Sequence, residues 1–369
     1  MVGRAIRCPW RGVLLGSVLA ALVLACGRAP AGGAPAPAAP AGSGVAAPAG
    51  AAAPAAAAAQ GAPAPAALLP VRAAFTSFSA SAAPWWMAQE GGYFRQQGLD
   101  VSLVQIAAGA TLLAAMQNGE VEVTFAGGPS LVLGNLEGLE TMIVGSTSSG
   151  LDIIIFVRPE LATLDDVRGK TIGAGRPKSI TDIAARLAFR RVGLQPDQDV
   201  YIGVTGGLPE SLAALQTGTI DGAALNVPMV FEARRQGFRE LLSLADMPIP
   251  FTTSAVGTTK KIIATRPEIF EPFLRALAQG GSRLKSDREA AIDVLAKYNQ
   301  SDDRELLGAT VDHNRPLWIT DPYPDPAGVQ TVLDVEDHPA AAGARPEQFI
   351  DFQFADRLRQ SGFLDSLVK

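Results

Sequence analysis

The chain has 369 residues, 48% of them hydrophobic, a formal net charge of −5 and two cysteines. A mildly acidic protein of this kind lacks the basic face that nucleic acid requires. Cys8 and Cys26 both lie near the start, so the body of the chain can hold no disulfide framework, cysteine metal site or thiol nucleophile.

Arg4, Arg7 and Arg11 precede an uncharged apolar run over residues 13–24 that is too short for a comfortable membrane span. Residues 1–25 therefore read as an export signal. The run closes on Leu22, Val23, Leu24, Ala25 and Cys26, which resembles a lipobox, a small residue before a cysteine that takes lipid. That resemblance implies a lipid-anchored chain on the outer face of the cytoplasmic membrane, beginning at Cys26. A signal cut nearby without lipid, or an uncleaved anchor, are the alternatives. Loss of the segment removes three arginines and no acid, which moves the net charge from −5 to −8.

Residues 26–67 are the expected lipidated cysteine and an Ala/Pro/Gly-rich tether without a periodic apolar face. At full extension such a tether reaches about 130 Å. Pro30, Pro35, Pro37, Pro40, Pro48 and Pro54 interrupt any helix the alanines would form.

From residue 68 onward the remaining length favours two lobes over one enlarged core. Apolar runs over residues 71–75, 101–106, 121–125 and 153–157 read as strands, and residues 84–97 and 110–118 as helices. Ile180, Ile183, Ala184, Leu187 and Ala188 carry the spacing of a helix laid on a sheet. The class is α/β.

A faint internal repeat organises these elements. Phe94, Arg95, Gly98 and Leu99 recur as Phe189, Arg190, Gly193 and Leu194, a shift of 95. Beyond a short insertion the shift becomes 99, at which Asp100 and Val101 match Asp199 and Val200. Ala114, Ala115, Gln117 and Gly119 then match Ala213, Ala214, Gln216 and Gly218, and Pro129 matches Pro228. The order helix, glycine cap, strand, helix, glycine turn, strand and Pro-started helix is traversed twice. Each open sheet should bind at the carboxyl ends of its strands, in a cleft between two facing lobes. Those ends fall at residues 76–84, 107–111 and 126–130 in the first lobe and 173–179, 205–209 and 225–228 in the second.

Ala83 and Pro84, Ala88, then Gly91, Gly92, Tyr93 and Phe94, then Gly98, Leu99, Asp100 and Val101 resemble the opening of the sulfonate, taurine, nitrate and thiamine-pyrimidine binding family. Leu164, Asp165, Asp166, Val167, Gly169 and Lys170 are similar to the start of that family's second lobe, and Leu215, Gly218, Asp221 and Pro228 follow its pattern. The resemblance implies the type II periplasmic-binding fold, two lobes joined by a two-segment hinge with crossings near Ile155 and Val256. Lobe 1 would comprise residues 68–155 and 257–369, and lobe 2 residues 156–256. It also implies a monomeric receptor that hands a small solute to the membrane permease of an ABC importer, without a cofactor.

The candidate ligand contacts are Ser77, Ser79 and Trp85 after the first strand; Gly109, Ala110 and Thr111; Gly127 and Gly128; Arg176 and Ser179; and Asn226. Helix N-termini at Gly109 and Gly127 would offer free N–H groups to an anion, with Arg176, Lys178, Ser179 and Thr181 facing them from the second lobe. Each hydroxyl is equally an ordinary N-cap, and the two cations are equally solvated loop charges. Of Trp85 and Trp86 one indole is expected in the core and the other, taken as Trp85, against the ligand; the pattern leaves open which of the two faces the cleft. Asn226 and Val227 stand where relatives of this resemblance carry an aromatic residue and an acid, which suggests an amide hydrogen bond there. The expected solute is an organic anion, a sulfonate or carboxylate. A neutral thiamine pyrimidine precursor, or an enzyme or sensor on the same fold, are the alternatives. His313 and His338 have no metal-ligand spacing and read as surface or structural residues.

Overall fold

The computed structural model describes residues 67–367 except Ala108 and Pro248; the expected signal, Cys26 and the tether lie outside the described residues. The chain first lays down β1 (Leu69–Phe75), α1 (Ala83–Glu90), α2 (Tyr93–Gln96), β2 (Leu99–Gln105) and α3 (Gly109–Gln117), followed by β3 (Val123–Ala126), α4 (Gly128–Leu136) and β4 (Thr141–Ser148). The helix expected over residues 84–97 is broken in two. Gly92 sits at φ 67°, a left-handed conformation that stops α1 and restarts the chain as α2.

A second set follows: β5 (Ile154–Val157), β6 (Thr171–Gly173), α5 (Ile180–Arg191), β7 (Tyr201–Gly203), α6 (Leu208–Gln216), β8 (Gly222–Leu225), α7 (Met229–Arg235) and β9 (Arg239–Ser243). The chain then returns through β10 (Ser254–Thr259) to a helical region of α8 (Lys260–Thr265), α9 (Phe270–Ser286), α10 (Arg288–Asn299), α11 (Arg304–Asn314), α12 (Pro326–Val335) and α13 (Gln353–Gln360).

The strands form two sheets of one design. The first runs β2-β1-β3-β10-β4 and the second β7-β6-β8-β5-β9. In each, three strands are parallel and the fourth is antiparallel to both its neighbours. That fourth strand is supplied by a crossing of the chain, β10 in the first sheet and β5 in the second. This is the two-lobed α/β architecture of the periplasmic binding proteins. The repeat is visible residue by residue: α3 and α6 are offset by 99 residues at both ends, as are β3 and β8. Gly98 and Gly193 take φ 80° and 82°, and Gly119 and Gly218 take 73° and 71°, the left-handed turns that end equivalent helices.

The crossings fall earlier than residues 155 and 256. Ile155 pairs inside the second sheet with Ala224 and Leu242, and Val256 pairs inside the first with Phe125 and Gly145. The chain leaves the first sheet after Ser148 and re-enters it at Ser254. Strands β4, β5 and β10 are buried along their whole length. Such strands read as apolar or small-residue runs on both sides of each crossing, so the sequence does not show at which residue the chain changes sheet.

The C-terminal helices pack back on the first lobe, α9 against α1 and β4, and α13 against α9. α9 approaches so closely that a Cβ on Gly280 would stand 2.4 Å from the carbonyl of Pro84. The long apolar face of α9, with Phe270, Phe273, Leu274 and Leu277 fully buried, draws the C-terminal region onto this lobe.

Candidate functional site

A cavity of about 290 Å³ lies between the lobes, lined by the first lobe, the second lobe and both crossing segments. The first lobe contributes the loop after β1: Thr76, Ser77, Ser79 and Ser81 line the wall. The three serine hydroxyls form a chain, Ser77 Oγ donating to Ser79 Oγ at 3.2 Å and Ser79 Oγ lying 2.7 Å from Ser81 Oγ. Strand geometry ends at Phe75, and the short 3-10 turn at Ala80–Ala82 holds the serines at the mouth.

The second lobe contributes the N-terminus of α5 and the end of β8. Ser179 caps α5 by accepting from the amide of Asp182 at 3.3 Å, and its hydroxyl lies 3.0 Å from Thr181 Oγ1. Asn226 follows β8, and its Oδ1 is buried without a hydrogen-bond partner. Leu208 and Val227 supply apolar surface on this side, and Phe125 on the other.

Both crossings form the back wall, with Ser148, Ser149, Gly150, Asp152 and Ile153 from one and Thr253 from the other. They are tied together: Thr253 Oγ1 donates to the carbonyl of Gly150, and Ser148 Oγ donates to Ser254 Oγ at 2.6 Å. Asp152 Oδ1 is hydrogen-bonded to Nε2 of His313, at the end of α11. The Asp152 carboxylate, as the strongest cause, raises the imidazole above its ordinary range, against an opposing effect of burial. Phe231 of α7 meets the His313 ring edge-on, with centroids 6.1 Å apart, so this histidine touches both lobes.

Of the residues singled out in the sequence, Ser77, Ser79, Gly127, Ser179 and Asn226 line the cavity, while Trp85, Gly109, Ala110, Thr111, Gly128 and Arg176 do not. Trp85 is fully buried in the first lobe, edge-on to Phe125 at 6.1 Å and to Phe273 at 5.0 Å. Trp86 is equally buried and stacks on Tyr298 at 4.7 Å. The expected indole wall is therefore core, because Pro84 starts α1 with both rings turned toward α9 and α10. The open helix terminus expected at Gly127 and Gly128 is closed: Gly128 donates to the carbonyl of Thr252 at 2.9 Å, and Ser130 to that of Gly127 at 3.1 Å. Arg176 is exposed, and Lys178 reaches Glu336 at 2.8 Å.

The sequence reading missed Asp152, His313, Ser148, Ser149, Thr253 and Asn314, all at or beside the cavity. Asp152 stands in the crossing itself, the one polar side chain in the apolar stretch over residues 151–157. His313 comes from 161 residues further along, a separation that no local spacing reveals. Among the described residues lining the cavity, no lysine or arginine is present, Asp152 is the one ionisable side chain, and hydroxyls predominate among the polar groups on an otherwise apolar wall. Such a wall suits a solute bound by neutral hydrogen bonds. Among the described residues no group of three or more metal-ligating side chains occurs, and no helix is long and apolar enough to cross a membrane.

Residues 79–291 match the family model described as NMT1/THI5 like. The riboflavin-binding protein RibY of Chloroflexus aurantiacus is 26% identical over 246 residues, covering 64% of this chain and 69% of that protein. The periplasmic nitrate-binding protein NrtA of Synechocystis PCC 6803 superposes with a TM-score of 0.65 at 13% identity, over 80% of this chain and 89% of that one. The alkanesulfonate-binding protein SsuA of Xanthomonas axonopodis pv. citri, solved bound to MOPS, gives 0.60 at 18% identity, over 72% and 91%.

Proposed function

Because the chain belongs to the NMT1/THI5-like family, we propose that it is the extracytoplasmic receptor of an ABC importer, closing two lobes over one small organic solute. The observation that carries this reading is the cavity itself, walled by both lobes and by both crossings at once. A solute seated there touches every part whose relative position changes when the lobes move, so binding and closure are coupled. The reading has no chemical step, and the chain's partners are the solute and a membrane permease.

The solute class follows from the lining. With many hydroxyls, two amides and no cationic side chain among the described lining residues, the cavity favours a neutral, hydroxylated heterocycle. The name of the riboflavin-binding relative supports that class, and riboflavin is the first compound to test. An anion, organic as for the alkanesulfonate-binding neighbour or inorganic as for the nitrate-binding one, would find neither a lysine nor an arginine among the described lining residues. A thermal-shift screen of riboflavin, uridine, a hydroxymethylpyrimidine, methanesulfonate and nitrate tests the class. Stabilisation by the neutral compounds is expected, and stabilisation by the anions alone would reverse the assignment.

Anchoring is a separate part of the proposal. The basic, apolar, small-residue and cysteine order ending at Cys26 supports lipidation there and a tethered receptor on the outer face of the membrane. Cys26→Ser is expected to release the protein from the membrane fraction. Membrane retention of the variant beside a wild type without lipid would contradict it.

A further inference from the structure

Two residues that line the cavity, Asn226 and Asp152, each carry an acceptor oxygen to which no group among the described residues donates. Asn226 Oδ1 is buried with no partner, although a buried amide oxygen ordinarily has one. Asp152 uses Oδ1 for His313, while its Oδ2 accepts no hydrogen bond among the described residues. The two residues stand on different walls, Asp152 in the first crossing and Asn226 at the end of β8 in the second lobe. The buried Asn226 oxygen is costly to leave unpaired, and Asp152 Oδ2 stands ready for a donor on a solute.

We propose that Asp152, positioned by His313, together with Asn226, selects solutes that present N–H donors, such as the imide of a heterocyclic ring. This rests on the receptor reading above and deepens it. His313 has a defined part: its Nε2 holds one carboxylate oxygen, and its ring is braced by Phe231, so the other oxygen keeps a fixed direction. The imidazole also balances the carboxylate's charge, so the pair offers an acceptor without the net negative charge that would call for a cationic amine. Hydroxyls of Ser77, Ser79 and Ser81 across the cavity then remain for the solute's own hydroxyl groups.

The test compares matched solutes that differ by one methyl group: riboflavin with 3-methylriboflavin, and uridine with 3-methyluridine, titrated into the full chain by calorimetry. Methylation removes the imide donor and leaves an acceptor unpaired. Wild type is expected to bind the N–H member about ten- to a hundredfold more tightly. Asp152→Asn keeps the shape, places an N–H₂ where an acceptor stood, and is expected to shrink that ratio to less than about threefold. The solute pair alone decides the matter should the variant fold poorly. Equal binding of both members by wild type overturns this inference and leaves the receptor reading intact. Preference for an alkylammonium compound over either heterocycle overturns it too. Binding of methanesulfonate or nitrate with no binding of the heterocycles overturns both the inference and the neutral-solute reading.

Discussion

Gly128 donates its amide to the carbonyl of Thr252 at 2.9 Å, and a Cβ placed on Gly128 would stand 2.6 Å from that same oxygen. The start of α4 is thus fastened to the returning crossing, not held open for an anion. Gly128→Ala forces backbone apart at a site with no flexible neighbour, and is expected to destabilise the fold by about 1–3 kcal/mol. Gly109→Ala, whose Cβ would come no nearer than 3.9 Å to Ser130 Oγ, should change stability by less than about 0.5 kcal/mol. Urea denaturation of both variants checks the contrast.

Gly127 faces the other lobe, where a Cβ would meet Cδ1 of Ile180 at 2.9 Å. Gly127→Val is expected to fold, because Ile180 can move with its lobe, but to keep the lobes from meeting. Small-angle scattering should show wild type shrinking on addition of a bound solute and the variant failing to do so. Affinity of the variant should fall at least about tenfold, since closure supplies part of the binding free energy.

Trp85 is a core residue, so Trp85→Ala should cost about 3–5 kcal/mol of stability. Its indole N–H is buried without a partner, and a phenylalanine would spare that unpaired donor. Trp85→Phe is therefore expected to fold nearly as stably as wild type and to bind solute with unchanged affinity, measured by calorimetry. Weakened binding by a stable Trp85→Phe would return this ring to the site.

The fold was legible in the sequence to the extent that it is written in local pattern. The paired glycines Gly98 and Gly193, and Gly119 and Gly218, mark left-handed turns that only a few residue types accept, so their spacing exposed the duplicated lobe. The cavity's hydroxyls at Ser77, Ser79 and Ser179 were reachable because the first two lie just after a strand and the third caps the start of an amphipathic helix. Trp85 was misplaced because a helix with two adjacent indoles gives no sign of which neighbours cover it; α9 and α10, about two hundred residues later, meet Trp85 and Trp86 respectively. His313 and Asp152 were invisible as a pair for the same reason. Gly128 illustrates a subtler limit: a glycine at a helix start reads as an opening, but whether its N–H is spent depends on a carbonyl from the far crossing.

The Asp152–His313 pair makes stability depend on pH. Imidazole has an ordinary value of about 6.5, and the Asp152 carboxylate raises His313 above it in the folded chain. The sign follows from linkage: a raised folded value means stabilisation that is complete below about 6.5 and is lost as pH rises through the folded value. Arg234 opposes the shift and Glu240 supports it. His313→Gln should accordingly narrow the difference in urea midpoint between about pH 5.5 and about pH 9. An unchanged difference would mean that the pair is not protonated in the folded state.

Arg176 separates the two solute classes. It is exposed and outside the cavity lining, so Arg176→Ala should leave both stability and solute affinity within about 0.5 kcal/mol of wild type. A loss of binding confined to anionic solutes would mean that the loop over residues 176–178 reaches into the cleft.

The most direct measurement is a calorimetric titration of the full chain with riboflavin, repeated on Asn226→Leu. One solute bound per chain, with affinity lost in the variant while its denaturation midpoint holds, is the result expected of a neutral-solute receptor using the inter-lobe cavity. Riboflavin binding that Asn226→Leu leaves untouched, or tight binding of methanesulfonate in its place, would contradict it.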